Sequence, residues 1–203
     1  MRSFPRFFLA LAAVLLSSVC FAQNSGAPVN HLNTAVTLSF SNASYKLAWT
    51  SHPSPQYYKQ EYLPAGETAQ RFKSMLLLEV LAARVNVKDI VAAKTAELQQ
   101  MKLSNPYISF KSEYDAAKDE YILDFVLTAA TADGKDIDIA ERNIYRYKKY
   151  TCKNGDQGVL LFGLSLRHYG NEAKKFLAAT GSNKAELINK VKQFIIPTVA
   201  IKN

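Results

Sequence analysis

The chain has 203 residues, of which 25 are Lys or Arg and 17 are Asp or Glu, and a formal net charge of +8 at neutral pH. At this length folding buries roughly 70% of the surface of the unfolded chain, which is enough for one self-sufficient core. The basic residues are spread along the chain and not gathered in one run. The excess charge therefore favours solubility and a weak attraction of anions, and we expect no nucleic-acid partner.

The start of the chain has the pattern of a secretory signal. Two arginines and no acidic residue precede an apolar run from Phe7 to Leu16, and small residues precede Gln23. These are the features that a signal peptidase recognises, so residues 1–22 are predicted to be removed between Ala22 and Gln23 and the protein to be periplasmic or secreted. The run is shorter than the about 20 apolar residues of a spanning helix. We therefore expect no membrane segment after cleavage.

A lipoprotein is the alternative at this end of the chain, with Cys20 as the acylated residue, although Val19 is unfavourable immediately before such a cysteine. The predicted signal holds two of the basic residues and none of the acidic ones, so its removal lowers the net charge to +6. It also leaves Cys152 as the single cysteine. No intramolecular disulfide is then possible, and the fold must rest on its core.

The chain after the signal begins with residues 23–33, which are polar and small and are predicted to form a flexible lead-in to a single domain over 34–203. Two alternating stretches, Ala35 to Phe40 and Tyr45 to Trp49, flank a polar turn and predict a β-hairpin. The proline-containing stretch that follows predicts a loop. A third strand is expected from Tyr57 to Leu63.

Two helices are predicted next. Apolar residues recur at helical spacing after Thr68, and this pattern predicts a helix over 68–83 that is the most buried in the domain. Asn86 is a candidate N-cap for a second helix, which is expected to reach about Leu103 and to end before Pro106.

The second half of the chain predicts four strands and a helical end. The strands are expected over Tyr107–Tyr114, Glu120–Thr131, Ile137–Tyr150 and Val159–Leu166, and helical spacing returns over 173–177 and 184–195. The last strand is almost wholly apolar, so it should be central with both faces covered. The order of elements predicts an α+β fold, in which an antiparallel sheet, made of an N-terminal hairpin and a C-terminal meander, is packed by helices.

The core prediction follows from the widest helical face and the most apolar strands. It comprises Leu76, Val80, Phe125, Leu161 and Phe162.

The hairpin, the segment from Glu61 to Thr68 that leads into a helix, the meander and the C-terminal helix together resemble the layout of MOG1/PsbP-like domains and of small uncharacterised exported bacterial proteins. The resemblance lies in the order of elements and transfers no functional residue. It implies a small accessory or partner-binding protein without an active site of its own.

The most suggestive composition lies in the strand over 137–150. Alternate residues of a strand share a face, so Arg142, Arg146 and Lys148 are expected on one side and Tyr145 and Tyr147 on the other. Cations in a row with adjacent tyrosines can hold a protein or an anionic ligand, and we predict that these five residues form a non-enzymatic binding surface. A solvated outer face, whose lysines discourage edge-to-edge pairing, explains the same composition.

A thiol-dependent or hydrolytic enzyme is an alternative, because Cys152 and His168 flank the turn predicted at 154–158 and a hairpin could place them on neighbouring strands. A nucleophilic cysteine needs a base within hydrogen-bond reach and usually a third group that orients the base, and no motif supplies that geometry. A purely structural protein of the cell envelope is the other alternative.

No cofactor or metal site is expected. His31, His52 and His168 are dispersed in the sequence, and no pair of them has the spacing of a zinc site. The sequence also has no glycine-rich loop of the kind that binds phosphate.

Overall fold

The structure is a computed structural model that describes residues 27–202, apart from 153, 154, 156 and 180–183. The predicted signal, its cleavage site and Cys20 lie outside the described residues. So do parts of the turn predicted at 154–158 and the helix break predicted at Gly181.

The described chain forms one eight-stranded antiparallel sheet with the strand order β1-β2-β3-β4-β8-β7-β6-β5. The strands are β1 (Thr37–Phe40), β2 (Ala43–Ser54), β3 (Tyr57–Leu63), β4 (Ser74–Leu81), β5 (Ser109–Asp115), β6 (Glu120–Ala130), β7 (Ile137–Thr151) and β8 (Gln157–Tyr169). The helices are α1 (Val87–Ser104), α2 (Gly170–Ala178) and α3 (Lys184–Gln193). Two four-stranded meanders therefore meet where β4 pairs with β8, and α1 carries the chain from the centre of the sheet to its far edge.

The helix predicted over 68–83 is wrong, because its apolar part is strand β4. This strand lies between β3 and β8, and four consecutive apolar residues, Met75 to Leu78, are buried along it. A strand that is covered on both faces has a continuous apolar run instead of an alternating one, and such a run resembles a buried helix in sequence.

The fold-class prediction is wrong as well. The sequence predicts an antiparallel sheet, made of an N-terminal hairpin and a C-terminal meander, that is packed by helices. The structure is instead dominated by one continuous eight-stranded sheet, in which β4 takes the place of the first predicted helix. The predicted loop after the second strand is also absent, since β2 continues to Ser54.

Helix α1 confirms the second predicted helix. The side chain of Asn86 accepts a hydrogen bond of 2.8 Å from the backbone N–H of Lys88, as an N-cap does. The helix ends at Ser104, before Pro106. The predicted position of the last strand is confirmed too, because β8 lies between β4 and β7.

Each face of the sheet carries its own core. On one face α3 and the segment after it pack against β1, β2 and the central strands, with Phe162 and Val191 fully buried. On the other face α1 packs Val91 and Leu98 against β6, β7 and β8. We call these the α3 face and the α1 face.

The two ends of the described chain meet on the α3 face. The backbone N–H groups of Ala200 and Lys202 donate to the carbonyls of Leu32 and His31, each at 2.9 Å. Leu32 is fully buried, and its N–H donates to the buried amide of Gln60. The end of the predicted lead-in is thus part of the packed domain.

The predicted core is confirmed. Leu76, Val80 and Phe162 have no exposed surface, and Phe125 and Leu161 are 2% and 7% exposed. Within the described part of the chain, no helix is both long and apolar enough to span a membrane.

Candidate functional site

The structure places the predicted arginines inside the protein. Arg142 and Arg146 lie on the α3 face of β7, but only 5% and 4% of their surface is exposed. Arg142 forms a two-bonded ion pair with Asp124 at 2.9 and 3.0 Å, and it also donates to the carbonyl of Lys184 at the start of α3. The expected exposed row of cations is therefore absent, because α3 covers this part of the strand.

Arg146 uses its donors in the same way. It donates to both carboxylate oxygens of Glu120, at 2.9 and 3.0 Å, and Glu120 is itself 3% exposed. It also donates to the carbonyls of Val191 and Phe194, at 2.9 and 2.7 Å. The guanidinium thus ties the sheet to the C-terminal end of α3, where backbone carbonyls lack partners within the helix. The Nζ of Lys148 lies 3.7 Å from the carboxylate of Glu120, and the side chain of Lys148 is 40% exposed.

The two predicted tyrosines lie on the α1 face. The ring of Tyr145 meets that of Phe125 edge to face at 5.0 Å, and Tyr147 is 3% exposed within the α1-face core. Burial, and then the negative charge of Glu141, raises the pKa of Tyr145 well above its ordinary value. Both tyrosines contribute to packing.

Cys152 and His168 are far apart. The register of β7 with β8 pairs Thr151 with Gln157 at one end of the hairpin and Ala140 with His168 at the other. At about 3.3 Å per residue, the eleven steps from Gln157 to His168 correspond to roughly 36 Å. His168 instead stacks on Phe176 of α2, with the ring centroids 4.5 Å apart. A thiol–imidazole pair between these two residues therefore has no geometric basis.

An open groove lies between α1 and β5, which is the edge strand of the sheet. Its wall is formed by Ala92, Thr95 and Ala96 of α1, and its floor by Phe110 and Ser112 of β5 and Tyr121 of β6. The groove has a volume of about 490 Å³. It exists because the small side chains at 92 and 96, one helical turn apart, fill little of the space beside the edge strand. Its lining suits apolar side chains.

Two lysines border this groove. Lys88 lines the groove near the start of α1, and the Nζ of Lys102 lies 6.0 Å from the centroid of the Phe110 ring at the other end. Within the described residues neither lysine has an ion-pair partner, whereas Lys94, elsewhere on the same helix, binds Glu97 at 3.0 Å. The groove thus combines an apolar floor with a cation at each end.

The floor strand also has an open edge. β5 pairs with β6 along one side and is the last strand in the sheet order. Tyr114 on this strand is 49% exposed, and Leu103 and Tyr107, which lead into it, are 72% and 53% exposed. Exposed apolar side chains concentrated beside an open edge mark an interaction surface.

A second cleft, of about 610 Å³, lies at the start of α1 and is lined by Asn86, Asp89 and Gln157, among others. Gly155 also lines it, and residues 153, 154 and 156 beside it lie outside the described residues. Asn86 is already engaged there as the helix cap.

Sequence reasoning missed two of these features. Neither the groove nor the edge can be predicted without knowing that α1 returns to the sheet beside β5.

The fold also brings together two histidines that are distant in sequence. The rings of His31 and His52 are 5.3 Å apart, and His52 stacks on Tyr58 at 4.1 Å. Burial, followed by the charge of His52, lowers the pKa of His31. No group of three potential metal ligands occurs in the part of the chain that the structure describes.

Residues 32–196 match the model of an uncharacterised bacterial protein family, and the chain belongs to that family. The matched range covers every described strand and helix. The match shows no link to the MOG1/PsbP-like domains whose layout the sequence resembles. No curated protein and no solved structure matches the chain.

Proposed function

We propose that this protein is a non-enzymatic binding module that holds an extended acidic polypeptide segment in the groove between α1 and β5. The observation that carries the proposal is the combination of an apolar floor with a lysine at each end of the groove that has no ion-pair partner among the described residues. Apolar side chains of the segment would pack on Phe110 and Tyr121, and its carboxylates would meet Lys88 and Lys102. In peptide recognition, pockets accept the apolar side chains of the peptide and basic side chains bind its acidic groups.

The chemistry of the lining supports binding and not catalysis. The described groove residues are aliphatic, aromatic, amide, hydroxyl or lysine side chains, and none of them carries a carboxylate, an imidazole or a thiol. Exposed lysines strengthen the encounter with an acidic partner and make it sensitive to salt. We therefore propose a binding surface on α1 and β5 in place of the one predicted on β7, whose arginines are buried.

The groove variant Ala96→Glu tests the proposal. The added carboxylate occupies the wall and repels an acidic segment, so we expect at least about tenfold weaker binding of a labelled ten-residue peptide that alternates Leu with Glu. Fluorescence anisotropy measures the affinity. Gln100→Glu is the matched control, because it places the same group on an exposed position of α1 outside the groove lining. Glu is a good helix former, so both variants should keep the fold.

Three outcomes would overturn this assignment. The peptide could fail to bind the parent protein, or it could bind Ala96→Glu as well as Gln100→Glu. In the third outcome, dodecanoate displaces the Leu/Glu peptide, and a peptide that alternates Leu with Lys binds as tightly as the Leu/Glu peptide. The groove would then be a lipid site without preference for acidic polypeptide.

We also propose that the module acts outside the cytoplasm, which the basic start and apolar run of residues 1–22 support. The intact mass of the protein isolated from an expressing bacterium should correspond to a chain that begins at Gln23. An acylated N-terminal Cys20 would establish the lipoprotein alternative. An unprocessed chain would contradict export by this route.

A further inference from the structure

We propose that two copies of this chain pair antiparallel through their β5 strands, so that their two grooves face each other and form one cleft. The dimer itself does not depend on the proposed function, and only the identity of the ligand bound in the cleft rests on it. β5 keeps a regular register with β6 over all seven residues from Ser109 to Asp115, without a bulge. The other end of the sheet is the four-residue strand β1. β5 is therefore the longer and flatter edge, the kind that pairs with another strand.

The sequence of β5 is self-complementary. In a two-fold pairing centred on Ser112, Lys111 lies opposite Glu113 of the other copy, and Phe110 lies opposite Tyr114 of the other copy. Residues directly opposite in an antiparallel pair share a face and are close enough for ion pairs and aromatic contacts. Each of these pairs occurs twice, once on either side of the axis.

The neighbouring registers lack this match. A two-fold axis keeps each face of the sheet on its own side, so the centre of the pairing can move only by whole residues along the strand. Centring on Lys111 places that lysine opposite its own copy, and centring on Glu113 places two carboxylates together. Like charges directly opposite are destabilising. The charges therefore select the register centred on Ser112.

The surroundings of Glu113 fit this arrangement. Its carboxylate accepts a hydrogen bond from the Nζ of Lys192 of α3 at 2.5 Å, and this bond and the charge of Lys192 lower the pKa of Glu113. Lys111 is exposed, and within the described residues it has no ion-pair partner. In the dimer the carboxylate would lie between Lys192 and Lys111 of the other copy.

The dimer would complete the groove. Phe110 and Ser112 line its floor, and Tyr114 packs on Tyr121 on the same α1 face, with the ring centroids 4.8 Å apart. In one copy the groove has a wall on the α1 side and is open toward the sheet edge. Because the axis is perpendicular to the sheet, the second copy adds its own floor on that side and its own α1 as the facing wall.

Sedimentation velocity of the purified full chain, between about 1 and 100 μM, tests the proposal. The parent protein should show a concentration-dependent dimer. Lys111→Glu and Glu113→Lys should each weaken dimerisation at least about tenfold, because each creates like charges at two positions. An equimolar mixture of the two variants should form a heterodimer, since positions 111 and 113 are again opposite in charge across the interface. Lys192→Met controls for the lost ion pair within one chain.

A monomer over the whole concentration range would overturn the inference. So would a dimer that both charge reversals leave unchanged, or a mixture that stays as monomeric as its components while circular dichroism shows both variants folded. Peptide binding in a monomeric protein would leave the proposed function standing without the dimer. A charge-sensitive dimer that binds no peptide would establish the interface and refute the proposed function.

Discussion

Arg146→Ala is expected to lower the free energy of unfolding by about 3–5 kcal/mol, the range found when one partner of a buried ion pair is removed. The variant leaves the carboxylate of Glu120 buried, and among the described residues its remaining ion-pair partner is Lys148 at 3.7 Å. It also removes the donor to the carbonyls of Val191 and Phe194. Urea denaturation followed by circular dichroism measures the change.

Lys148→Ala is the matched control for this prediction. Lys148 lies on the same face of the same strand, two residues further on, but its side chain is 40% exposed. Exposed ion pairs contribute little, so the expected change is within about 1 kcal/mol. Equal losses from Arg146→Ala and Lys148→Ala would mean that Glu120 and Arg146 are not the buried pair that the structure shows.

The double variant Arg146→Met with Glu120→Leu separates charge from packing. Replacing both partners of a buried pair by apolar residues removes the unpaired charge and often restores stability. The carbonyls at the end of α3 still lose their donor, so we expect partial recovery relative to Arg146→Ala.

Local sequence patterns were sufficient to predict which face of a strand each side chain lies on. The alternation of β7 places Arg142 and Arg146 on one face and Tyr145 and Tyr147 on the other, as the period of a strand requires. The sequence does not indicate which of these residues are exposed. That depends on α3, which lies about 40 residues further along the chain and covers the arginines. The sequence of a strand with scattered cations has the same pattern whether those cations face water or are covered by a helix.

The centre of the sheet could not be predicted for a related reason. The run from Met75 to Leu78 has the apolar density of a buried helix, and only its long-range partners in β3 and β8 make it a strand. β4 is the strand that joins the first three strands to the other four, because it pairs with both β3 and β8. The groove was missed as well, because its wall on α1 and its floor on β5 become neighbours only through that topology.

Phe162→Ala is expected to cost about 3–5 kcal/mol, the usual loss for truncating a fully buried phenylalanine. Phe162 lies in the central strand β8 and has no exposed surface. Its ring stacks on Phe194 at 4.4 Å, and Phe194 meets Phe40 of β1 edge to face at 5.7 Å. The side chain therefore joins the centre of the sheet to its first strand through the C-terminal segment.

The same variant should also loosen the C-terminal segment before the whole domain unfolds. When Phe194 loses its stacking partner, the backbone hydrogen bonds from Ala200 and Lys202 to the start of the domain should open more often. Hydrogen exchange at those two amides is the second measurement. Phe110→Ala is the control, since Phe110 is half-buried at the sheet edge and its loss should cost about 1 kcal/mol without faster exchange there. If Phe162→Ala lost no more stability than Phe110→Ala, β8 would not be the central strand; unchanged exchange would mean that the segment does not depend on this contact.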